Sequence, residues 1–182
     1  MSPGERIRDD LLVLQCQHGD RRALGELVSR WQGPLVRYAS RLLGDHEAAL
    51  DAVQETWMAA VRGIVGLRDV ARFKPWVYGI LSRKCADYWR RKGSRAEVSA
   101  EAAEAMRGAG ELAAAPSADA DREVGLERAF GRLSADERTL LALRYMEDFG
   151  VAEIGDILGV PEGTVKSRLF HAREHLRQVM ER

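Results

Sequence analysis

The sequence predicts an all-α protein with two small helical domains, a flexible linker between them and a helix-turn-helix in the second domain. Apolar residues recur at helical spacing through most of the chain, whereas strand alternation and Asn-Gly hairpin signals are absent. Residues 96–118 are rich in Ala, Gly, Ser and Glu and lack aromatic residues, so they have too little bulky apolar surface to form a core. We therefore expect one domain over residues 1–95, the linker over residues 96–118 and a second domain over residues 119–182.

Breaks in the apolar pattern predict the helix boundaries of the first domain. The Gly33-Pro34 pair predicts an interruption that separates two helices, and Gly44 predicts the end of the second of them. Asp45 has a side chain typical of a helix N-cap, so another helix is expected to follow it. In that helix, Trp57 and Val61 are among the residues that the helical period turns inward.

A basic and aromatic segment follows a predicted loop. Residues 63–72 contain two glycines and no sustained period, which predicts a loop or a short broken helix. From Arg68 to Arg95 there are nine basic and two acidic side chains, interleaved with aromatic residues. Cations that follow phosphates and rings that stack on unpaired bases are typical of single-strand binding. The alternative is that rings such as Phe73 belong to the core and that the basic end of the helix is a solvated surface.

Residues 151–177 show the pattern of a helix-turn-helix. Gly159 is suited to end a first helix in the left-handed conformation, and Pro161 suits the first turn of a second helix. The face of the second helix that is predicted to pack inward consists of Val165, Leu169, Ala172, Leu176 and Val179. Its opposite face is polar, as in a recognition helix, although an ordinary amphipathic helix has the same pattern. A capping-box signature, Ser134 with Glu137, predicts the start of an earlier helix in this domain.

Charge and cysteine content exclude several functional classes. Basic and acidic residues balance at 28 each, but residues 1–95 carry 17 basic and 11 acidic side chains, so the first domain is the basic one. Cys16 and Cys85 are far apart and in no metal-ligand spacing, which argues against a disulfide framework or zinc site. No signal-peptide core and no run of about 20 apolar residues is found, so we expect a cytoplasmic protein without membrane insertion.

The sequence also lacks the features of an enzyme. There is no glycine-rich phosphate loop with a lysine and no nucleophile–base pair. His171 and His175 are spaced i, i+4, as in some metal sites, but no third ligand is evident near them. We therefore expect no catalytic residues, no metal and no cofactor.

Two stretches resemble the conserved regions of a known family. The segments RYASRLLGDHEAALDAVQETWMAAVRGI and RFKPWVYGILSRKCADYWRRK resemble the second region of bacterial RNA polymerase sigma factors of the extracytoplasmic-function group. The segment LSADERTLLALRYMEDFGVAEIGDILGVPEGTVKSRLFHAREHLR resembles their fourth region. The resemblance implies an initiation factor that binds core RNA polymerase, through the coiled coil of its largest subunit and its flap, and promoter DNA in duplex and single-stranded form. It also implies control by an anti-sigma factor.

The resemblance assigns residues to each of these partners. The residues implied in polymerase binding are Asp51, Gln54, Glu55 and Trp57. Those implied in recognising and melting the −10 element are Arg72, Lys74, Trp76, Arg83, Lys84, Tyr88, Arg90 and Arg91. Those implied in binding the −35 element are Thr164, Lys166, Ser167, Arg168, Phe170, His171 and Arg173, of which Arg168 and Arg173 are expected at phosphates or the polymerase flap.

Three positions depart from the family pattern. Arg83 stands where relatives commonly carry asparagine, and His171 stands where they commonly carry arginine, which together argue for a non-standard promoter. Gly155 stands where an alanine is usual; it costs about 1 kcal/mol of helix propensity but permits close packing. Two other functions fit parts of the sequence: a free-standing helix-turn-helix regulator, and a module that mainly binds an inhibitor. The basic aromatic helix after the docking helix favours the sigma factor over the simple regulator.

Overall fold

The computed structural model describes residues 3–98, 125, 126 and 128–181, and the regular structure of these residues is helical throughout. The chain divides into two compact units, the first containing residues 1–85 and the second containing most of residues 86–182. The predicted linker, apart from its first three residues, lies outside the described residues. Those three residues belong to a helix that ends at Val98, beyond the predicted domain end at residue 95.

Four helices form the N-terminal part of the chain. They are α1 (Pro3–Gln17), α2 (Arg21–Leu43), α3 (His46–Gly63) and α4 (Phe73–Val98). Short 3₁₀ turns at Ile64–Gly66 and Val70–Arg72 connect α3 to α4, so of the two predicted alternatives, a loop or a short broken helix, the structure shows the second. The Asp45 carboxylate accepts a hydrogen bond from the Ala48 amide at 3.1 Å, and Gly44 ends α2 in the left-handed conformation with φ 65°. Both predicted boundaries are confirmed.

The predicted break at Gly33-Pro34 is wrong, because α2 runs through both residues. Proline lacks the amide hydrogen that an internal helical position normally donates, which is why the sequence predicts a boundary there. Trp31, Leu35 and Tyr38 are all buried on one side of this helix. Burial of these large side chains is worth more than the one backbone hydrogen bond that Pro34 forfeits.

The core of the N-terminal unit is built around aromatic rings from α2 and α4. Tyr38 and Tyr78 meet edge to face with centroids 5.0 Å apart, and Trp31 meets Phe73 in the same way at 5.8 Å. The Tyr38 hydroxyl and the Ser82 hydroxyl form a buried hydrogen bond of 2.8 Å. Phe73 is therefore a core residue, as one of the two interpretations of the basic aromatic segment required.

Helix α1 is attached to α2 by apolar and charged contacts. Leu12, Val13 and Cys16 are buried. The Arg30 guanidinium donates a hydrogen bond of 2.7 Å from Nε to the buried Asp9 carboxylate, and this bond raises the pKa of Arg30. The attachment sets the position of the C-terminal end of α1 relative to the rest of the unit.

The C-terminal part of the chain contains α5 (Ala135–Leu141), α6 (Val151–Leu158) and α7 (Glu162–Met180). Residues 128–131 are also helical. The predicted capping box at the start of α5 is confirmed, since the Ser134 amide donates to the Glu137 carboxylate at 2.9 Å and the Glu137 amide donates to the Ser134 hydroxyl at 3.3 Å. A π-helical turn, Ala142–Met146, continues α5. None of the described helices is long and apolar enough to cross a membrane.

Candidate nucleic-acid interface

Helices α6 and α7 form the predicted helix-turn-helix. Gly159 ends α6 in the left-handed conformation with φ 68°, and its amide donates to the Gly155 carbonyl. The Val160 amide donates to the same carbonyl at 2.9 Å, so the turn provides hydrogen-bond donors for a backbone carbonyl at the end of the helix. Pro161 is the N-cap of α7 with ψ 149°, one position before the first helical turn to which the sequence assigned it. Its carbonyl accepts the amides of Thr164 and Val165.

The turn is so close that position 155 has no room for a side chain. A Cβ atom on Gly155 would lie 2.8 Å from the Val160 carbonyl oxygen and 3.9 Å from Cγ2 of Val165. The first of these distances is far shorter than van der Waals contact, and the atom concerned is backbone, which cannot move aside without opening the turn. Gly155 therefore lets the two helices of the motif approach at this point, as the sequence predicted.

Helix α7 separates an inner face from an outer face as predicted. Val165 and Ala172 are fully buried and Leu169 is 6% exposed, whereas Leu176 and Val179 are only half-buried. The predicted −35 residues that are exposed are Lys166, Ser167, Arg168, Phe170, His171 and Arg173. Thr164 is half-buried at the edge of this face. The structure thus brings the whole predicted set to the outer face and edge of one helix.

The outer face of α7 combines a ring pair with cations and a hydroxyl. Phe170 is 58% exposed and meets the His171 ring edge to face at a centroid distance of 5.5 Å. The Ser167 hydroxyl donates to the Thr164 carbonyl at 3.0 Å and keeps its lone pairs for another donor. A large exposed apolar ring beside donors and a cation suits a duplex groove, because the ring contacts thymine methyl groups while donors meet base edges and phosphates.

Helix α3 exposes only part of the set predicted to bind polymerase. Asp51 and Gln54 are exposed and Glu55 is half-buried. Trp57 is 8% exposed and donates from its indole nitrogen to the Gln32 side-chain oxygen at 2.8 Å. The structure therefore places Trp57 in the core between α2 and α3, where its indole is engaged with Gln32, although it lies only three positions from the exposed Gln54 on the same helix.

Three exposed apolar residues adjoin this face, although none of them was predicted to bind a partner. Met58 is 53% exposed, Val61 is 46% exposed and Val65 is 69% exposed. The prediction that Val61 points inward is wrong, because Ala60 occupies the inward position in its place. The signal was present in the sequence: Gln54, Met58 and Val61 share one side of a helix at spacings of four and three.

The start of α4 holds Trp76 against the end of α3. Trp76 is half-buried, and its ring is so near Gly63 that a Cβ there would lie 3.1 Å from the ring atom Cζ2. The Trp76 and Phe73 centroids are 6.1 Å apart, so the buried ring supports the half-exposed one. Arg72 is exposed just before the helix, and Lys74 is half-buried with its ammonium 5.9 Å from the Tyr78 ring centroid.

Further along α4, the predicted cations have unequal surroundings. Arg83, Arg90 and Arg91 are exposed, and Arg90 forms an ion pair with Asp87. Tyr88 is half-buried and lies under the Lys92 ammonium, 5.5 Å from its ring centroid.

Lys84 and Glu55, which were assigned to different partners, form an ion pair. The Lys84 ammonium lies 2.9 Å from the Glu55 carboxylate, with the side chains 32% and 45% exposed, respectively. The sequence did not indicate this pairing, since the two residues lie on separate helices. Each side chain would have to leave the pair to reach the partner assigned to it.

The titratable groups of the C-terminal unit have structural partners. His175 Nδ1 lies 2.9 Å from Glu137 Oε1 and connects α7 to α5. Burial favours a higher pKa for Glu137, but the hydrogen bonds from His175 and Ser134 outweigh it, and the pKa is lowered. Within the described residues, no group of three or more His, Cys, Asp or Glu side chains is arranged to hold a metal.

In the N-terminal unit, burial raises the pKa of the Cys85 thiol to about 12, which keeps the thiol protonated and unreactive.

Comparison with known proteins agrees with the two regions proposed from the sequence. Residues 27–95 match the family model of sigma-70 region 2, and residues 124–176 match that of sigma-70 region 4. The chain is 33% identical to the ECF RNA polymerase sigma-E factor of Haemophilus influenzae, over 93% of this chain and 94% of that protein. The chain belongs to the extracytoplasmic-function (ECF) family of RNA polymerase sigma factors.

Members of this sigma factor family are transcription initiation factors. This chain is also 30% identical to the RNA polymerase sigma-H factor of Pseudomonas aeruginosa, over 96% of this chain and 94% of that factor. The solved structure of CnrH with the cytosolic domain of CnrY covers 96% of this chain with a TM-score of 0.69 at 23% identity. The structure of the sigma factor RpoE with the anti-sigma factor NepR from Bartonella quintana covers 86% with a TM-score of 0.69 at 24% identity. At these identities the structures establish the helical fold.

Proposed function

We propose that this sigma factor binds core RNA polymerase through α3, recognises and opens the −10 element with α4 and the turns before it, and binds the −35 element with α7. The observation that carries this proposal is a complete helix-turn-helix whose second helix, α7, exposes every residue of the predicted −35 set except the half-buried Thr164. The chain supplies DNA recognition and strand opening, while the polymerase performs phosphodiester synthesis.

The polymerase-docking surface that we propose is the exposed side of α3. It consists of Asp51, Gln54, Glu55, Met58 and Val61. Trp57 is left out of this surface because its indole is buried and engaged with Gln32. An apolar centre with polar groups around it is the usual composition of a specific protein interface, and the two apolar residues supply that centre.

Helix α4 and the turns before it supply the features that strand opening requires. Trp76 has one side held against Gly63 and Phe73, so its ring is pre-positioned to stack on an unpaired base. Arg72, Arg83 and Arg91 are exposed near or along the same helix and can follow the phosphates of the freed strand. Stacking on the Trp76 ring and attraction between the arginines and the phosphates would offset the free energy that is needed to take a base out of the duplex.

The proposed −35 interface places specificity near the start of α7. Lys166, Ser167, Phe170 and His171 are positioned to reach base edges, and Arg168 and Arg173 are assigned to phosphates or to the polymerase flap. His171 offers fewer donors than the arginine common at this position. We therefore expect a −35 sequence that differs from that of close family members.

We also propose a cytoplasmic location and control by an anti-sigma factor. The location follows from the partner, since core RNA polymerase works in the bacterial cytoplasm. The solved RpoE structure contains an anti-sigma factor, NepR, and that sigma factor shares its fold with this chain.

Run-off transcription tests the proposed function directly. Purified bacterial core polymerase is incubated with a pool of genomic promoters, with and without the protein. Promoter-specific transcripts that appear only with the protein are expected, and their start sites reveal both promoter elements. The absence of transcripts, with duplex binding by the protein alone, would instead support a free-standing regulator.

A further inference from the structure

The Gln17 side chain, from α1, forms hydrogen bonds with the backbone of the segment between α3 and α4. This residue ends α1 and is half-buried. Its side-chain amide nitrogen lies 2.9 Å from the Ile64 carbonyl oxygen and 2.8 Å from the Leu67 carbonyl oxygen. Both hydrogens of the amide are therefore donated to the backbone of the segment that precedes α4.

The orientation of this amide is determined by its partners. Both partners are carbonyl oxygens, which accept and cannot donate, so the reverse orientation would face oxygen with oxygen. The Ile64 carbonyl also accepts the Leu67 amide at 3.1 Å, so its two lone pairs are both engaged. Gln17 thus closes a small network in which each polar group has a specific role.

The frame that carries Gln17 is itself well fixed. The Asp9–Arg30 hydrogen bond attaches α1 to α2, and the Asp20 amide donates to the Gln15 carbonyl at 3.0 Å in the turn that follows α1. Asp20 then caps α2 by accepting the Arg22 amide at 2.7 Å. Because α1 is fixed to α2 in this way, the Gln17 side chain can hold the backbone of residues 63–72 in a defined position.

The segment that Gln17 holds leads directly into the proposed −10 surface. Ile64 is buried, whereas Val65 is 69% exposed and Arg68 and Asp69 are exposed. Asp69 caps the next turn through the Ala71 amide at 3.1 Å, and α4 begins two residues later. Moving the backbone at Leu67 would therefore move the exposed side chains that precede Trp76.

We propose that Gln17 is a positioning residue: by donating to the Ile64 and Leu67 carbonyls it sets the conformation of residues 63–72 that the −10 strand meets. This inference rests on the proposed function for its role in DNA recognition, but not for the bonds themselves. The required property is a donor at this position and not merely a side chain of the right size.

Four variants separate a donor from a space-filler. Gln17→Ala removes the donors, Gln17→Glu keeps the shape but turns acceptors toward two carbonyls, and Gln17→Lys restores donors through an ammonium. Gln15→Ala is the matched control, since Gln15 is an exposed glutamine on the same helix. If Gln17 acts as a donor, protection of the amides in residues 63–72 and open-complex formation are highest for wild type and Gln17→Lys, lower for Gln17→Ala and lowest for Gln17→Glu. If Gln17 only fills space, Gln17→Glu behaves almost as wild type.

Hydrogen–deuterium exchange on the free protein measures how strongly the two Gln17 hydrogen bonds restrain residues 63–72. Gln17→Ala is expected to accelerate exchange of the amides in residues 63–72 on the order of tenfold, with exchange in α2 unchanged. Gln15→Ala is expected to behave as wild type. Exchange in Gln17→Glu that matches wild type would overturn the proposal.

Open-complex formation by holoenzyme, at a promoter selected in the run-off experiment, measures the role. We expect a loss on the order of tenfold for Gln17→Ala, with polymerase affinity and −35 duplex binding unchanged and with rescue by Gln17→Lys. Equal losses in all three activities would show a merely structural residue and overturn the proposal. If wild-type protein directs no transcription, the proposed function fails, and the exchange experiment still decides whether Gln17 holds the segment.

Discussion

Gly155 shows how one absent methyl group sets the geometry of the helix-turn-helix. Its position would suit alanine by helix propensity, with a gain of about 1 kcal/mol. The Val160 carbonyl oxygen, 2.8 Å from where a Cβ would be, reverses that preference. Because the obstructing atom is backbone, the strain is relieved only by separating α6 from the turn.

We expect Gly155→Ala to lower the free energy of unfolding, because overpacking of about 1–3 kcal/mol exceeds the gain in propensity. Gly163→Ala is the matched control, since a Cβ at Gly163 meets nothing within 4 Å and leaves stability equal or higher. Urea denaturation measures both. Stability of Gly155→Ala equal to that of wild type would show that the turn can open without cost.

Gln54 and Trp57 are three positions apart on α3 and have different surroundings. Gln54→Ala is expected to weaken binding to core polymerase at least about fivefold and to leave thermal stability unchanged, because the side chain is exposed. Trp57→Phe is expected to lose about 1 kcal/mol of stability with the hydrogen bond to Gln32, and to retain polymerase affinity. Fluorescence titration with core polymerase and thermal unfolding measure the two effects. A loss of polymerase affinity in Trp57→Phe, without a loss in Gln54→Ala, would instead show that Trp57 belongs to the docking surface.

At the scale of helices, the pairing of Glu55 with Lys84 connects the proposed docking helix to the proposed strand-binding helix. Both side chains are about one third exposed or more, so water and salt screen their attraction. Such a pair is worth only about 0.2–1 kcal/mol, which polymerase or DNA can readily replace. The pairing is therefore compatible with the separate roles proposed for the two residues.

A double-mutant cycle with Glu55→Gln and Lys84→Met tests this point. We expect a coupling energy below about 1 kcal/mol in the unfolding of the free protein. Each single variant is expected to weaken binding of its own partner, polymerase for Glu55 and single-stranded −10 DNA for Lys84. A coupling energy above about 2 kcal/mol would mean that the pair is mainly structural.

The contact of Glu137 with His175 makes the association of α5 and α7 sensitive to acid. The pKa of Glu137 is lowered from its ordinary value of 4.5 in the folded protein. The stabilisation is therefore present above that value and is lost as the pH falls through the lower, folded pKa. We expect Glu137→Gln, which keeps the capping box, to flatten the dependence of unfolding free energy on pH below about 4.5. An unchanged dependence would exclude Glu137 as its source.

At the scale of the whole molecule, the two proposed DNA-binding surfaces belong to different stages of initiation. Trp76→Ala is expected to impair open-complex formation more than −35 binding, because the proposed role of its ring is to stack on an unpaired base of the −10 element. Arg168→Ala, at an exposed residue assigned to phosphates, is expected to weaken duplex binding and to reduce the slope of log affinity against log salt by about 1, as for one lost phosphate contact. Permanganate footprinting and duplex titration over a range of salt concentrations separate these effects. Equal losses at both steps in Trp76→Ala would contradict the division.

Local signals account for what could be predicted. The Asp45 cap, the Ser134–Glu137 capping box and the left-handed glycines depend on neighbours within four residues, so the sequence alone identified them. The buried face formed by Val165, Leu169 and Ala172 follows from the helical period in the same way. These patterns, with the family resemblance, also determined the helical class and the outer face of α7.

Only the tertiary structure decided the remaining features. Pro34 lies inside a helix because its neighbours Trp31, Leu35 and Tyr38 are buried in the core of the unit. Trp57 is withdrawn from the docking surface because its indole is buried and donates to Gln32, a residue 25 positions earlier. Gln17 reaches carbonyls 47 and 50 positions along the chain. Helical periodicity states which side of a helix is apolar but not which polar atom of another segment lies opposite, because that depends on how the helices pack.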